Sequence, residues 1–176
     1  MLSFTTTHAI TECLLCADAD AEATGWGGPP ALLLLRGHWL APPPDPQPRR
    51  IQVDTFPLPP AALRRHGGLP AILTAIAARY RRPDLRHPDP TSGGPLRLLA
   101  WAVRYEDILA EDTDLAQIRR VEAVDTDGRV YQITRLHGER HGLVLIDEQP
   151  DPDNLPATHT GLTALLDVLR PTTAPR

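Results

Sequence analysis

The stretch Ile118-Arg-Arg-Val-Glu-Ala-Val-Asp125, Thr126-Asp-Gly128, Arg129-Val-Tyr-Gln-Ile-Thr-Arg-Leu136 decides the fold. Asp-Gly between two β-prone runs signals a hairpin, but the loop length has to be settled. A two-residue loop of Asp127 and Gly128 would set Arg120 opposite Arg135 and mix polar with apolar residues on both faces. A three-residue loop, Thr126-Asp127-Gly128, pairs Asp125 with Arg129, Ala123 with Tyr131 and Val121 with Ile133. Val121, Ala123, Tyr131 and Ile133 then share one face, and Arg120, Glu122, Gln132 and Thr134 the other. A one-residue slip would exchange the faces, so this partition selects the three-residue loop. It also places Gly128 where a type I turn with a G1 bulge requires positive φ.

The neighbouring segments extend the sheet. From Leu98 to Asp107 the positions Leu99, Trp101, Val103 and Tyr105 alternate as one bulky apolar face. Leu143-Val-Leu-Ile146 is short and continuously apolar, the pattern of an interior strand with both faces covered. The sheet as a whole is expected to bury one face.

Upstream, Thr7 is placed to cap a helix running to about Thr24, with Gly25 at its C′ position. Its stripe is Ile10, Cys13, Leu14, Ala17 and Ala21; Asp18, Asp20 and Glu22 fall on the other side. Strands follow at Ala31–Arg36 and Ile51–Phe56. Pro59-Pro60 opens a short helix that Gly67-Gly68 ends, and Pro70 opens a second with the stripe Ile72, Leu73, Ile76, Ala77, Tyr80. Thr158 or Thr160 caps a last helix carrying Leu162, Leu165, Leu166 and Leu169. Grouped strands and grouped helices predict α+β: a two-layer, largely antiparallel sheet of about five to six strands, packed on one face by three to four helices. Residues 1–170 read as a single domain with proline-rich loops at 41–49, 82–96 and 147–158, followed by a frayed tail at 171–176.

Composition removes several kinds of chemistry. All 18 basic residues are arginine, a bias expected of a GC-rich genome. Without lysine there is no Schiff base, no P-loop lysine and no lysine general base. The two serines, Ser3 and Ser92, lie in no nucleophile elbow. A net charge of −4 gives no general attraction for nucleic acid, leaving Arg79–Arg82 as the local basic cluster to consider. No window approaches a membrane span, and the first residues lack the pattern of a signal peptide, so a cytoplasmic location is expected.

Few residue groups could carry chemistry. Cys13-x-x-Cys16 lies mid-helix rather than at the helix start where a thiolate is stabilised, so buried or half-buried thiols are expected. His137-Gly-Glu139-Arg-His141 could hold a metal and activate water if helical, but the flanking Gly138 and Gly142 make it a hairpin tip, commonly a polar exposed loop. Asp125-Thr-Asp-Gly128 begins like a calcium loop and lacks its later ligands, so turn chemistry accounts for it. Asp147, Glu148, Asp151 and Asp153 read as a solvated acidic loop. The densest acidic cluster, Glu106, Asp107, Glu111, Asp112 and Asp114, is also expected to be solvated, with Glu111 and Asp112 candidates for a basic partner. Trp39, beside His38 and the proline loop, is the aromatic candidate for an interface.

Gly25-Trp26-Gly27-Gly28-Pro29-Pro30-Ala31-Leu32 resembles a turn in a group of uncharacterised small actinobacterial proteins, where a leading helix ends in Gly-Trp-x-x-Pro-Pro and a strand follows. The resemblance covers about eight residues, and the proline loop here departs from the longer segment of that group. It implies an intracellular α+β protein with no catalytic residues to carry over. Taken together, the residues point to a non-catalytic accessory protein that contacts an unknown protein partner or a second copy of itself, with no cofactor. The alternatives are a metal-dependent hydrolase-like enzyme built on His137, Glu139 and His141, and nucleic-acid binding through Arg79–Arg82.

Overall fold

The hairpin closes in the three-residue register. Val121 pairs with Ile133 and Ala123 with Tyr131, Gly128 donates its N–H to Asp125 O at 3.0 Å, and Gly128 has φ 89°. The Asp125 carboxylate accepts the N–H groups of Asp127 and Arg129 and the Tyr131 hydroxyl. Turn chemistry thus accounts for the acidic residues of this loop.

The computed structural model describes residues 1–38, 50–81, 96–111 and 114–169. Its elements are α1 (Phe4–Thr24), β1 (Ala31–His38), β2 (Arg50–Pro57), α2 (Pro60–His66), α3 (Leu69–Tyr80), β3 (Leu96–Glu111), β4 (Asp114–Asp125), β5 (Val130–Leu136), β6 (Leu143–Asp147) and α4 (His159–Leu169). The strands form one open six-stranded sheet in the order β2-β1-β3-β4-β5-β6, antiparallel at every pairing. With four helices among the described residues, the fold is α+β. The proline loop expected at 41–49, all of that expected at 82–96 except Leu96, which opens β3, and the tail expected at 171–176 lie outside the described residues.

The helices divide between the two faces of the sheet instead of sharing one. Leu32, Leu34, Trp101, Val103, Val124 and Val130 pack with Ile72, Leu73, Ala77, Leu162, Leu165 and Leu166 of α3 and α4. The opposite face, with Leu33, Leu35, Ala102, Val121, Ala123, Tyr131 and Ile133, packs on Ile10 and Leu14 of α1. Adjacent residues of β1 are therefore buried in different cores, which its unbroken Leu32–Leu35 run requires. β3 departs from the expected single face. The β1 register passes from Leu35↔Ala100 to Arg36↔Leu98, and across this bulge Leu99 joins the α1 core while Trp101 and Val103 join the other.

Helix ends follow local chemistry. α1 starts earlier than Thr7 because Ser3 is the cap: its side chain accepts the Thr6 N–H. Gly67, at φ 77°, ends α2. α3 and α4 meet where Gly161 faces Leu73, and a Cβ at Gly161 would lie 2.5 Å from that of Leu73, so only glycine permits this crossing. Beneath the N-terminus of α4, the buried Glu122 carboxylate accepts the hydroxyls of Thr158 and Tyr105. Burial first, then the adjacent Glu122 charge, pushes the Tyr105 phenol far above its usual range.

Candidate interaction site

Among the described residues β6 pairs only with β5, with Val130↔Asp147, Gln132↔Leu145 and Thr134↔Leu143 among the partners. Its place at the sheet edge corrects the expectation of an interior strand. Backbone direction follows from the β4–β5 ladder. Asp125 donates to Arg129 O and His137 to Gln117 O, so the odd residues of β5 turn their backbone groups toward β4. Alternation leaves Val130, Gln132 and Thr134 facing β6. Leu143, Leu145 and Asp147 therefore spend their backbone groups on β5, and Val144 and Ile146 present theirs outward.

The side chains of this edge are bare. Leu143 is 75% exposed and Leu145 54%, on the α4 side of the sheet; Val144 at 36% and Ile146 at 38% lie on the α1 side. Natural edges are usually blunted by charge, proline or a bulge. The opposite edge follows that practice, because β2 carries Arg50, Gln52 and Asp54, with Gln52 hydrogen-bonded to Asp54 at 2.8 Å. Between Leu143 and Ile146 no residue is polar. Ionisable residues bracket this apolar run instead, with Arg140 and His141 before it and Asp147, the last residue of β6, and Glu148 after it. On the α4 side the apolar surface continues to exposed Leu136 of β5.

The same end of the sheet carries a projecting arm. β1 pairs with β3 no further than Arg104, and β5 with β4 no further than Ile118, whereas β3 and β4 pair on to Glu111↔Asp114. Beyond Arg104 the arm exposes Ile108, Leu109 and Leu115. A shallow open hollow on it is lined by Glu106, Asp107, Ile108, Leu115 and Gln117.

An ion-pair clamp at the base of the arm fixes α1. Arg119 and Arg135 are directly opposite on β4 and β5, a like-charge pair that is unfavourable by itself. Asp18 reaches down from α1 and accepts from Arg135 Nε at 2.8 Å and Nη2 at 2.5 Å. Its other oxygen lies 4.0 Å from Arg119 Nη1. Arg119, only 1% exposed, also donates to Glu22 at 2.8 Å, to Gly25 O at 3.0 Å and to Glu106 at 3.4 Å. The Trp26 ring covers its guanidinium at 4.2 Å and meets the His137 ring edge-on at 4.8 Å. Desolvation alone would raise the Glu22 carboxyl, but hydrogen bonds from Arg119 and Trp26 and the arginine charge hold it below the usual carboxylate range. The Gly-Trp turn is thus the lid of a buried arginine.

Sequence reading missed this clamp by assigning Asp18 to the solvent side of α1. A usable signal was present: Ile10, Leu14 and Asp18 recur at intervals of four, and Arg119 and Arg135 share the parity of Val121 and Ile133.

The other candidates are dispersed. His137, Glu139 and His141 are exposed around the β5–β6 turn, whose Glu139 and Arg140 carbonyls are held by Arg135. Among the described residues no group of three or more His, Cys, Asp or Glu is placed to hold a metal ion. Trp39 and Asp112 lie outside the described residues, as do the side chains of His38 and Glu111. Arg79 and Arg81 are exposed at the end of α3, and Arg82 is not described. Cys13 is half-buried, its thiol pushed up by burial and then by Cys16 and Glu12; Cys16 is exposed. Asp147 and Asp151 accept from Gln149 and Asp153 N–H groups in local turns. No helix of the described residues is long and apolar enough to cross a membrane. Compared with family models, curated proteins and solved structures, the chain matches none.

Proposed function

We propose that this chain is a non-catalytic interaction protein that receives another protein chain as an added strand along β6. The observation that carries the reading is the bare edge: outward backbone groups at Val144 and Ile146, flanked by four consecutive apolar side chains, Leu143 to Ile146, all exposed. An added strand gains main-chain hydrogen bonds from such an edge, and the alternating side chains supply specificity. Burying Leu143 and Leu145 removes apolar surface from water, at about 25 cal/mol per Å². The arm, with Ile108, Leu109 and Leu115, offers further apolar surface to the incoming chain. The proposal gives the protein an accessory role in an intracellular assembly.

A photo-crosslinking residue tests it in host cells, placed at Leu145 and, as a control, at exposed Arg64 on α2. A discrete adduct of fixed mass is expected from position 145 and none from position 64. Absence of an adduct at 145, or the same smear from both positions, would defeat the proposal.

A further inference from the structure

We infer that the chain received by β6 is the β6 strand of a second copy, running antiparallel across a twofold axis at Val144. This rests on the strand-addition reading and names its occupant.

Charge is the first argument. β6 has a basic flank, Arg140-His141, and an acidic flank, Asp147-Glu148. Antiparallel pairing of two copies lays each basic flank along the acidic flank of the other. Parallel pairing would set like against like, which is repulsive. A strand with opposite charge at its two ends is complementary to its own reverse, as an isologous interface demands.

Register is the second argument. Only even-numbered residues turn their backbone groups outward, so hydrogen-bonded pairs across the interface must join even to even. With Val144 on the axis, Val144 meets Val144 of the second copy and Gly142 meets Ile146. Leu143 then lies opposite Leu145, apolar against apolar, twice. Continuing the ladder sets His141 against Asp147 and Arg140 against Glu148. Moving the axis to Leu145 would set Leu143 against Asp147 of the second copy and forfeit this match. An axis at Leu143 would set Leu145 against His141 and Ile146 against Arg140; only the Val144 register puts no ionisable side chain opposite any of the four apolar residues. It also brings the four leucines together on the α4 side, where Leu143 and Leu145 are most exposed.

The result is one sheet continuous through both copies, in which no β6 edge remains open. A contact of this extent is small for a protein interface, so the dimer should be reversible, with a dissociation constant in the micromolar range.

Light scattering on the full chain from about 1 to about 100 µM reads the mass directly. The expected result is a monomer–dimer equilibrium within this window. V144P removes an outward N–H without touching the bonds of Leu143, Leu145 and Asp147 to β5, a position where an edge strand tolerates proline. It should keep its circular dichroism and be monomeric throughout. Should V144P fail to fold, a charge exchange carries the test. R140E and E148R should each weaken the dimer by about tenfold, since each converts two symmetry-related attractions to repulsions, and the R140E/E148R double variant should restore it.

A mass of one chain at every concentration overturns the inference. So does a dimer indifferent to V144P, or one that the double exchange fails to restore. The crosslink at Leu145 separates this failure from that of strand addition. An adduct of twice the chain mass agrees with self-pairing. An adduct with a different protein overturns self-pairing and leaves strand addition standing. No adduct together with a monomer removes both.

Discussion

Replacing Asp18 with alanine is expected to lower folding stability by about 3–5 kcal/mol, because it leaves the buried Arg135 without its carboxylate partner. Asp18 is fully buried and gives both Arg135 hydrogen bonds to one oxygen. Arg119 retains Glu22 and Glu106 after the change, but among the described residues Arg135 keeps only the carbonyl acceptors of Glu139 and Arg140. The size of the loss comes from the uncompensated charge and not from the net worth of the pair. A triple variant, Asp18→Leu with Arg119→Met and Arg135→Met, should therefore recover most of the stability. Urea unfolding followed by circular dichroism reads both quantities; a loss below about 1 kcal/mol for D18A would contradict the clamp.

The second large effect is at Leu14, one turn before Asp18. Leu14 is 1% exposed and, with Ile10, is a fully buried apolar contact of α1 to its face of the sheet. Leu14→Ala is expected to cost about 2–5 kcal/mol through lost transfer free energy and the cavity left behind. Because Leu14 and Asp18 seat the same helix, the two losses should not add. Once one variant has loosened α1, the other removes less, and a double-mutant cycle should show coupling of about 0.5–3 kcal/mol. Strict additivity would mean that the clamp and the core hold α1 independently.

The hairpin was legible because strand periodicity is two, so only one register separates the faces, and Gly128 readily adopts the positive φ that the three-residue loop requires. Both signals are local, and both agree with the observed register. The start of α1 was obscured because Thr5-Thr6-Thr7 is a β-branched run of low helix propensity. In the structure Ser3 caps it, and Thr7 returns its hydroxyl to Ser3 O at 3.3 Å. The division of helices between faces could not be read from patterns alone. Alternation in β3 is broken by a bulge, and β1 is apolar throughout. Asp18 was grouped with Asp20 and Glu22 on the side opposite the stripe, and its two arginine partners, Arg119 and Arg135, lie far along the chain.

The error at β6 is the instructive one. Four consecutive apolar residues read as a strand with both faces covered, yet within one chain the strand is an edge and its side chains are bare. The self-pairing proposed above would give this edge its missing lateral neighbour. Of the expected site residues, His141 takes a place in that account as part of the basic flank, and His137 serves as a packing partner of Trp26. Glu139 contributes its carbonyl to Arg135.

Residue-resolved amide exchange tests the β6 edge most directly. Leu143 and Leu145, bonded to β5, should exchange slowly at all concentrations. Val144 and Ile146 should be slow in concentrated protein, or with host extract if the occupant is another chain, and fast on dilution of the purified chain. Fast exchange at Val144 and Ile146 under every one of these conditions would mean that no strand is added at this edge.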